Sequence, residues 1–234
     1  MLRLSPVFLL ALLSLPVMAA PHPERYNEIL PPEVPWTGES RILLAAADDP
    51  WITPAEQTGL AATPDYEETI SWLRRLVAAA PQLKMLSIGK SVQGRDIWLV
   101  VASREGAHTP AELQKNGRPT LLVQAGIHAG EIDGKDAGLM LLRDMTVGGT
   151  KTALLEHANL LFIPILNVDG HERRSPYGRI NQRGPENMGW RANARNLNLN
   201  RDYAKLDTPE IRAVVNVINT WQPDLYFEIG RAFV

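Results

Sequence analysis

The sequence predicts an α/β fold in which a mostly parallel mixed sheet carries helices on both faces. Two apolar runs, 119–124 and 159–166, have the composition of strands that are buried on both sides. A segment with helical spacing of apolar residues lies between them, and another precedes a third apolar run at 224–229. The length of 234 residues is enough for one domain with a sizeable core.

Residues 1–19 have the features of a signal peptide. Arg3 provides a positive start, residues 7–15 are mostly apolar, and residues 17–19 form a small-x-small cleavage site. We therefore expect an exported protein with no membrane attachment after cleavage. The chain contains no cysteine and hence no disulfide, which favours a bacterial periplasm or the medium. An uncleaved anchor is the alternative, although this apolar run is shorter than the roughly 20 residues that span a bilayer.

A proline-rich segment, residues 20–62, separates the signal peptide from the main domain, which we place at 63–234. The density of proline in this segment opposes long helices and central strands. We interpret the segment as an extended lead-in that wraps the domain, with Trp36 and Trp51 as docking points. A disordered linker is the alternative.

The domain begins with a helix and a hairpin. Apolar residues at helical spacing predict a helix that starts with Thr63 as its N-cap and ends before Pro81. Two strands, 84–88 and 96–102, follow and are joined by a hairpin-like connector. The next stretch, 104–118, is polar with two glycines and a proline, and predicts a loop.

The second half of the domain alternates helices with buried strands. We predict helices at 137–145 and 209–221 and a short helical turn at 154–157. A long polar region, 167–205, lies between the second buried strand and the last helix. Ligands of parallel α/β sheets bind beyond the carboxyl ends of the strands. Three residues follow predicted strands, namely His128, Asn167 and Gly230. We therefore expect all three to lie at one edge of the sheet.

A histidine and a glutamate stand where the first buried strand turns into a helix. His128 and Glu131, three residues apart, can aim imidazole nitrogen and carboxylate oxygen into one space, and this ligand set suits zinc. In a chain without cysteine, any metal must be held by His, Asp or Glu. The bare pattern is weak, and a structural histidine with a helix-capping glutamate is the alternative.

The polar region is strongly basic in a protein whose formal net charge is -2. Between residues 171 and 205, seven arginines and one lysine stand against three acidic residues. An anion-binding loop over the strand ends is one interpretation, because arginine pairs well with carboxylate. A solvated basic loop is the other and suits most of these arginines better. Nucleic acid is disfavoured, because the region has few aromatic residues and the protein is expected to be exported.

Five motifs occur in an order and spacing that resemble the zinc carboxypeptidases of the carboxypeptidase A/B type. The resemblance runs from about Tyr66 to the end of the chain and implies that family's α/β/α fold. The motifs are SIGKSVQGRDIWLV (87–100), GIHAGE (126–131), NVDGHERRSPY (167–177), MGWR (188–191) and NLNLNRD (196–202).

The resemblance implies a zinc-dependent enzyme that releases C-terminal residues from peptides. His128 and Glu131 match two of the family's three zinc ligands. Arg191 matches the arginine that polarises the scissile carbonyl and stabilises the oxyanion. Asn200 and Arg201 match the pair that binds the free C-terminal carboxylate of the substrate. Zn²⁺ and a peptide with a free carboxylate are therefore the expected cofactor and partner, and His171 and Glu172 are expected to be structural.

The chain departs from the family pattern at its end. Gly230 stands where the family has its third zinc ligand, a histidine. The family's general-base glutamate and substrate-capping tyrosine lie further on, and we expect a truncated or frame-shifted chain with an unprotected apolar edge at the strand ending in Ile229. Such a chain would bind zinc weakly and have little peptidase activity. The alternatives are a non-catalytic carboxylate-binding remnant and a zinc hydrolase acting on another acyl amide.

Overall fold

The structure is a computed structural model, and it describes residues 38–179, 182 and 184–230. The signal peptide, the first part of the lead-in with Trp36, and Arg183 lie outside the described residues. Within the described residues, no helix is both long enough and apolar enough to cross a membrane.

The described strands form one five-stranded sheet in the order β1-β2-β4-β3-β5. The strands are β1 (Leu83–Lys90), β2 (Asp96–Ala102), β3 (Thr120–Ala125), β4 (Asn159–Ile163) and β5 (Leu225–Ile229). The hairpin pair β1-β2 and the pair β2-β4 are antiparallel. The strands β4, β3 and β5 are parallel neighbours. The predicted mixed α/β sheet is confirmed, with its parallel part formed by the strands that helices connect.

Seven α-helices accompany the sheet in the described residues. They are α1 (Pro54–Gln57), α2 (Tyr66–Ala79), α3 (Pro110–Lys115), α4 (Asp133–Met145), α5 (Leu154–His157), α6 (Val168–Glu172) and α7 (Pro209–Trp221).

The predicted N-cap of α2 is wrong by two residues. Asp65 caps the helix, because its carboxylate accepts from the Glu68 backbone N–H while the Glu68 side chain accepts from the Asp65 N–H. Thr63 instead donates its hydroxyl to the buried carboxylate of Asp136, at 2.8 Å. A tertiary contact therefore takes the side chain that local preference assigned to the cap.

The prediction that 104–118 is only a loop is also wrong. Pro110 occupies the first turn of α3, where its missing N–H has no cost. Thr109 and Glu112 form a reciprocal capping box around it. The polar region contains helix too, since α6 and a 3-10 turn at Leu199–Arg201 fall within it.

The core lies on both sides of the central strands. Every residue of β4 is buried, and successive side chains of a strand point to opposite faces, so both faces of β4 are covered. Helix α4 approaches the sheet closely through glycine. A Cβ atom at Gly134 would lie 2.8 Å from Cβ of Ile229, and one at Gly138 would overlap the Phe162 ring.

The described part of the lead-in packs on the domain. The guanidinium of Arg75 lies 4.9 Å from the Trp51 ring centroid and also donates to the Pro50 carbonyl. The indole N–H of Trp72 donates to the Ile52 carbonyl at 3.1 Å. These contacts are those expected of a wrapping segment, and the division of the chain at residue 63 stays a prediction.

Strand β5 lies at one edge of the sheet and is paired only with β3 among the described strands. The side chains of Leu225, Phe227 and Ile229 are 53%, 46% and 41% exposed. The expected apolar edge is therefore present in the described part of the chain.

Candidate metal centre

Three loops meet where the parallel strands end. The backbone N–H of Asn167, after β4, donates to the carbonyl of Gly126, after β3, at 3.0 Å. A Cβ atom on Gly230, after β5, would lie 2.8 Å from Oε2 of Glu131. The expected gathering of His128, Asn167 and Gly230 at one edge is thus observed, and it places the site above β3.

A tight turn brings His128 and Glu131 together. The backbone N–H of Glu131 donates to the His128 carbonyl at 2.9 Å, and Nδ1 of His128 lies 3.2 Å from Oε2 of Glu131. Both side chains are largely buried. Two donor atoms that share a tetrahedral zinc ion at about 2.1 Å are separated by about 3.4 Å. The observed distance therefore fits two ligands of one zinc ion.

Asn198 determines which ring nitrogen of neutral His128 carries the proton. Its Oδ1 lies 3.1 Å from Nε2 of His128 and also accepts from the backbone N–H of Asn200 at 3.1 Å. Because this oxygen can only accept, Nε2 carries the proton in neutral imidazole and Nδ1 is unprotonated. In that neutral ring the lone pair of Nδ1 faces the carboxylate across 3.2 Å and a cation can bridge the two atoms, whereas in the protonated ring Nδ1–H donates to Oε2 of Glu131.

The second oxygen of Glu131 faces two arginines. Nη2 of Arg179 lies 2.8 Å from Oε1, and Nη1 of Arg191 lies 3.7 Å from the same oxygen. Burial acts to raise the pKa of Glu131, but the hydrogen bond with His128 and the charge of Arg179 outweigh it and leave the pKa below its ordinary value. Glu131 is therefore a carboxylate at neutral pH and can serve as a metal ligand.

A third protein ligand is missing from the described residues. Gly230 has no side chain at the position that points toward Glu131 Oε2. Glu228 brings another carboxylate near this position, with Oε2 3.7 Å from where a Gly230 Cβ atom would stand. Across residues 38–179, 182 and 184–230, no group of three histidine or acidic side chains is arranged to hold a metal. The residues present thus supply two zinc donors but not a complete set.

The other predicted site residues lie on neighbouring segments. Arg191 is half-exposed, and its backbone carbonyl accepts from Nδ2 of Asn167 at 3.3 Å. Asn200 and Arg201 are exposed on the 3-10 turn that follows Asn198. The Arg201 guanidinium donates to the Asn200 carbonyl at 2.9 Å. The structure therefore brings Arg191 directly to Glu131, while Asn200 and Arg201 adjoin the residue that contacts His128.

Sequence reasoning missed Asn198 and Arg179 as residues of this site. Asn198 stands inside the NLNLNRD motif, so its position was available as a signal, but an asparagine side chain has many possible partners. Arg179 was one of seven arginines in a basic region, and no local pattern separates it from the others. Only the folded structure selects it, by placing it 2.8 Å from Glu131.

A buried polar network supports the helix that follows Glu131. The ammonium of Lys135 donates to the Pro64 carbonyl at 2.6 Å and to Nε2 of His171 at 3.1 Å. Nδ1 of His171 then carries the proton that it donates to Glu172, at 2.7 Å. Burial lowers the pKa of Lys135 to about 8, and burial together with the Lys135 charge lowers the pKa of His171 to about 4. His171 is therefore a neutral residue inside the fold.

The fold and the paired donors define an α/β protein with part of a metal centre at the carboxyl edge of its parallel strands. A model of the zinc carboxypeptidase family matches residues 69–230, which is more than half of the chain. The chain belongs to the zinc carboxypeptidase family, whose members are zinc-dependent hydrolases.

Curated relatives agree with this assignment. Carboxypeptidase D of Drosophila melanogaster is 33% identical over an alignment of 162 positions that covers 62% of this chain and 11% of the relative. Carboxypeptidase Z of Mus musculus is 28% identical over an alignment of 157 positions that covers 63% of this chain and 22% of the relative. The chain thus spans less than a quarter of the length of these relatives.

Solved structures share the fold. Carboxypeptidase A from Helicoverpa armigera superimposes with a TM-score of 0.59 at 21% identity, covering 74% of this chain and 47% of that one. A metallo-carboxypeptidase from Pseudomonas aeruginosa, in complex with (2-guanidinoethylmercapto)succinic acid, gives a TM-score of 0.52 at 25% identity. That match covers 70% of this chain and 39% of the other. The chain corresponds to less than half of either structure.

Proposed function

We propose that this chain carries the zinc-binding and substrate-binding segments of a metallocarboxypeptidase that acts on the free C-terminus of peptides. His128 and Glu131 are the proposed zinc ligands. The observation that carries the proposal is the 3.2 Å approach of His128 Nδ1 to a carboxylate oxygen of Glu131 in a buried setting. A zinc ion can take the place of the proton in this contact, and zinc is the ion that the family uses.

The remaining residues have roles that match their charge and exposure. A zinc ion at such a site activates water and polarises a carbonyl. Arg191, with its guanidinium half-exposed beside Glu131, would donate to the substrate carbonyl oxygen as negative charge develops there. Arg201 would bind the terminal carboxylate through charge-assisted hydrogen bonds, and Asn200 would add an amide donor. These assignments place substrate recognition on solvent-facing side chains and metal binding on buried ones.

Zinc binding to the 234-residue chain tests the proposal. With two protein ligands we expect weak binding, measured by competition with a chelator, and we expect His128→Ala to abolish it. Gly230→His should tighten zinc binding by at least about tenfold, because position 230 adjoins Glu131 Oε2 and a histidine there adds a ligand. Lys115→His adds a histidine on α3 and serves as the control. Equal affinities for Gly230→His and Lys115→His would contradict the proposal.

A carboxylate-binding function without catalysis is the second candidate. It is favoured by the exposure of Arg191 and Arg201, and by the succinic acid derivative bound to the Pseudomonas aeruginosa relative. Calorimetry with peptides in the presence of a chelator should then show binding that Arg201→Ala abolishes. Peptides with an amidated C-terminus serve as the control. Equal binding of free and amidated peptides would contradict this function.

We also propose that the protein is exported to a bacterial periplasm or to the medium. The composition of residues 1–19 supports this proposal. Expression of the full chain, followed by fractionation and mass determination, should yield a product shortened by 19 residues outside the cytoplasm. Full-length protein in the cytoplasm would contradict export.

A further inference from the structure

Glu210 is a buried acid that the proposed function does not use. It stands in the first turn of α7, after the N-cap Thr208, and it is 0% exposed. Among the described residues, its Oε1 atom has no hydrogen-bond partner. A charged oxygen that is buried without a partner is costly, and acidic residues are rarely buried completely unless they are paired. The protonation state of Glu210 therefore requires an explanation.

One side-chain contact joins Glu210 to the polar region. Nδ2 of Asn193 donates to Oε2 of Glu210 at 3.5 Å, which is the long limit of a hydrogen bond. The amide oxygen of Asn193 is engaged elsewhere, because it accepts from the backbone N–H groups of Arg195 and Leu197, both at 3.0 Å. This fixes the orientation of the amide, so that its donor side faces Glu210. A proton on Glu210 therefore belongs on Oε1, the oxygen that accepts nothing.

Asn193 closes a short loop that leads to the candidate metal centre. Its backbone N–H donates to the Leu197 carbonyl at 3.0 Å, and we call residues 193–197 the clasp loop. Asn198, whose amide contacts His128, follows this loop directly. The contact between Asn193 and α7 thus ties the start of this segment to the rest of the domain.

The groups around Glu210 oppose its charged form. Burial raises the pKa of Glu210, and the negative charge of Asp169, on α6, acts in the same direction. The guanidinium of Arg95 is already paired with Asp169, at 2.8 Å. Asn193, the exposed Arg195 and the backbone N–H of Glu210 favour the charged form. Their combined effect is the smaller one, and the pKa of Glu210 lies above its ordinary value.

We propose that Glu210 is held as the neutral acid in the folded protein, and that its ionisation releases the clasp loop from α7. A charged Glu210 would be buried near the carboxylate of Asp169, and moving toward solvent relieves this but breaks the contact with Asn193. The loop is then tied to α7 at acid pH and free to open at neutral pH. The effect on substrate binding by Asn200 and Arg201 rests on the proposed function, whereas the proton on Glu210 does not.

The direction of the pH dependence follows from the raised pKa. In the open loop Glu210 has its ordinary pKa of 4.5, and in the closed loop it keeps its proton to higher pH. From pH 4.5 upward the closed state therefore binds more protons than the open state. The stabilisation of the closed loop is fully present below pH 4.5 and is lost as the pH rises through the pKa of the closed state.

Hydrogen exchange of the 234-residue chain tests the proposal. The amides of Arg195 and Leu197 bond the Asn193 oxygen and report opening of the clasp loop. Between pH 4.5 and 7 we expect their protection factors to fall by up to about tenfold per pH unit. In Glu210→Gln, which keeps the shape without the acid, their protection should not depend on pH. Asp207→Asn neutralises an exposed acid next to the same end of α7 and should behave like the wild type.

A carbon-13 titration of the Glu210 carboxyl group gives a second readout that needs no variant. We expect its pKa to lie above 4.5. A pKa at or below 4.5, or parallel protection profiles for Glu210→Gln and the wild type, would overturn the proposal.

Peptide binding separates this inference from the proposed function. Calorimetry should show that peptides with a free C-terminus bind the wild type less tightly as the pH rises, and that Glu210→Gln removes this dependence. An equal dependence in both proteins would overturn the effect of the clasp loop on substrate binding. If no peptide binds, the proposed function fails, and the exchange profiles of Arg195 and Leu197 still decide the role of Glu210.

Discussion

Asn198 shows how much a single hydrogen bond decides in this protein. Imidazole has two chemically similar nitrogens, and the amide oxygen of Asn198 distinguishes them by accepting from Nε2 at 3.1 Å. The same oxygen accepts from the backbone N–H of Asn200, which fixes the orientation of the amide. As a result, His128 presents the lone pair of Nδ1 to Glu131.

Removing this acceptor should weaken metal binding. In Asn198→Ala, the ring of His128 loses its partner and can rotate or exchange tautomers, so we expect zinc affinity to fall about 10–100-fold. Asn198→Asp should bind zinc more tightly than the wild type, because a carboxylate makes the imidazole a stronger ligand. Chelator competition measures both, with the exposed Asn187→Ala as control. Wild-type affinity in Asn198→Ala would show that the ring is held by other contacts.

His171 should make the stability of the fold depend on pH. Burial and the Lys135 charge lower the pKa of His171 to about 4, whereas the ordinary value is 6.5. Between these pH values His171 binds more protons in the unfolded state than in the folded state. Its contribution to the free energy of unfolding is therefore fully present above pH 6.5 and is lost as the pH falls toward 4. The slope contributed by this group reaches about 1.4 kcal/mol per pH unit.

Urea unfolding between pH 4.5 and 7 measures this effect, which we expect to be reduced in His171→Gln. The exposed His157→Gln is the matched control, and it should keep the wild-type slope. Glu172 and other carboxylates add their own acid dependence, so the quantity of interest is the difference between variant and wild type. Parallel profiles for His171→Gln and the wild type would mean that His171 binds as many protons in the folded state as in the unfolded state, which would contradict the lowered pKa.

At the scale of elements, helix α4 depends on close approach to the sheet. Glycine is a poor helix former, costing about 1 kcal/mol relative to alanine, yet α4 contains it at Gly134 and Gly138. Both positions face strands at distances that leave no room for a Cβ atom. The two glycines lower the intrinsic helix propensity of α4, but they allow the helix to pack closely against β4 and β5. Glu131 lies just before the first turn of this helix.

Replacing Gly138 should therefore destabilise the protein despite the gain in helix propensity. In Gly138→Ala, the new methyl group would overlap the Phe162 ring, and overpacking of this kind costs about 1–3 kcal/mol. We expect a net fall in the free energy of unfolding. In a Phe162→Leu background the same change should be neutral or stabilising, because the ring is absent. An increased melting temperature for Gly138→Ala alone would contradict this packing.

At the scale of the whole molecule, a buried ion pair joins the lead-in to the domain. Nη1 of Arg143, on α4, lies 2.6 Å from Oε2 of Glu56, on α1, and both side chains are almost fully buried. Asp144 accepts from Nε of the same guanidinium at 2.8 Å. Burial acts to raise the pKa of Glu56, but the hydrogen bonds with Arg143, Ala45 and Thr53 together outweigh it and the pKa is lowered, so the pair is charged.

Removing Glu56 should undock the lead-in and destabilise the domain. Glu56→Ala leaves a buried guanidinium with only Asp144 as its charge partner, and breaking such pairs costs about 3–5 kcal/mol. The double variant Glu56→Ala with Arg143→Met should lose less, because no buried charge is left unpaired. Denaturant unfolding measures both, with the exposed Glu39→Ala as control. A loss in Glu56→Ala no larger than in Glu39→Ala would show that the lead-in contributes little to stability.

The sequence alone predicted the sheet strands, and it also suggested the ligands that we propose. Strand β2, helix α5 and helix α7 have the predicted bounds, because their apolar spacing is strong and their ends carry clear signals. The pair His128 and Glu131 follows from chain-local spacing combined with a recognisable motif. Local errors occurred where a side chain had two possible partners, as when Thr63 bonds Asp136 instead of capping α2.

Only the tertiary structure decided what surrounds the proposed ligands. The partners of His128 and Glu131 are Asn198, 70 residues away, and Arg179, which the sequence could not separate from its neighbours in the basic region. Sequence periodicity reports which face of an element is apolar, because burial acts on each residue locally. It does not report which polar side chain reaches which partner, because that depends on how distant loops meet above the sheet.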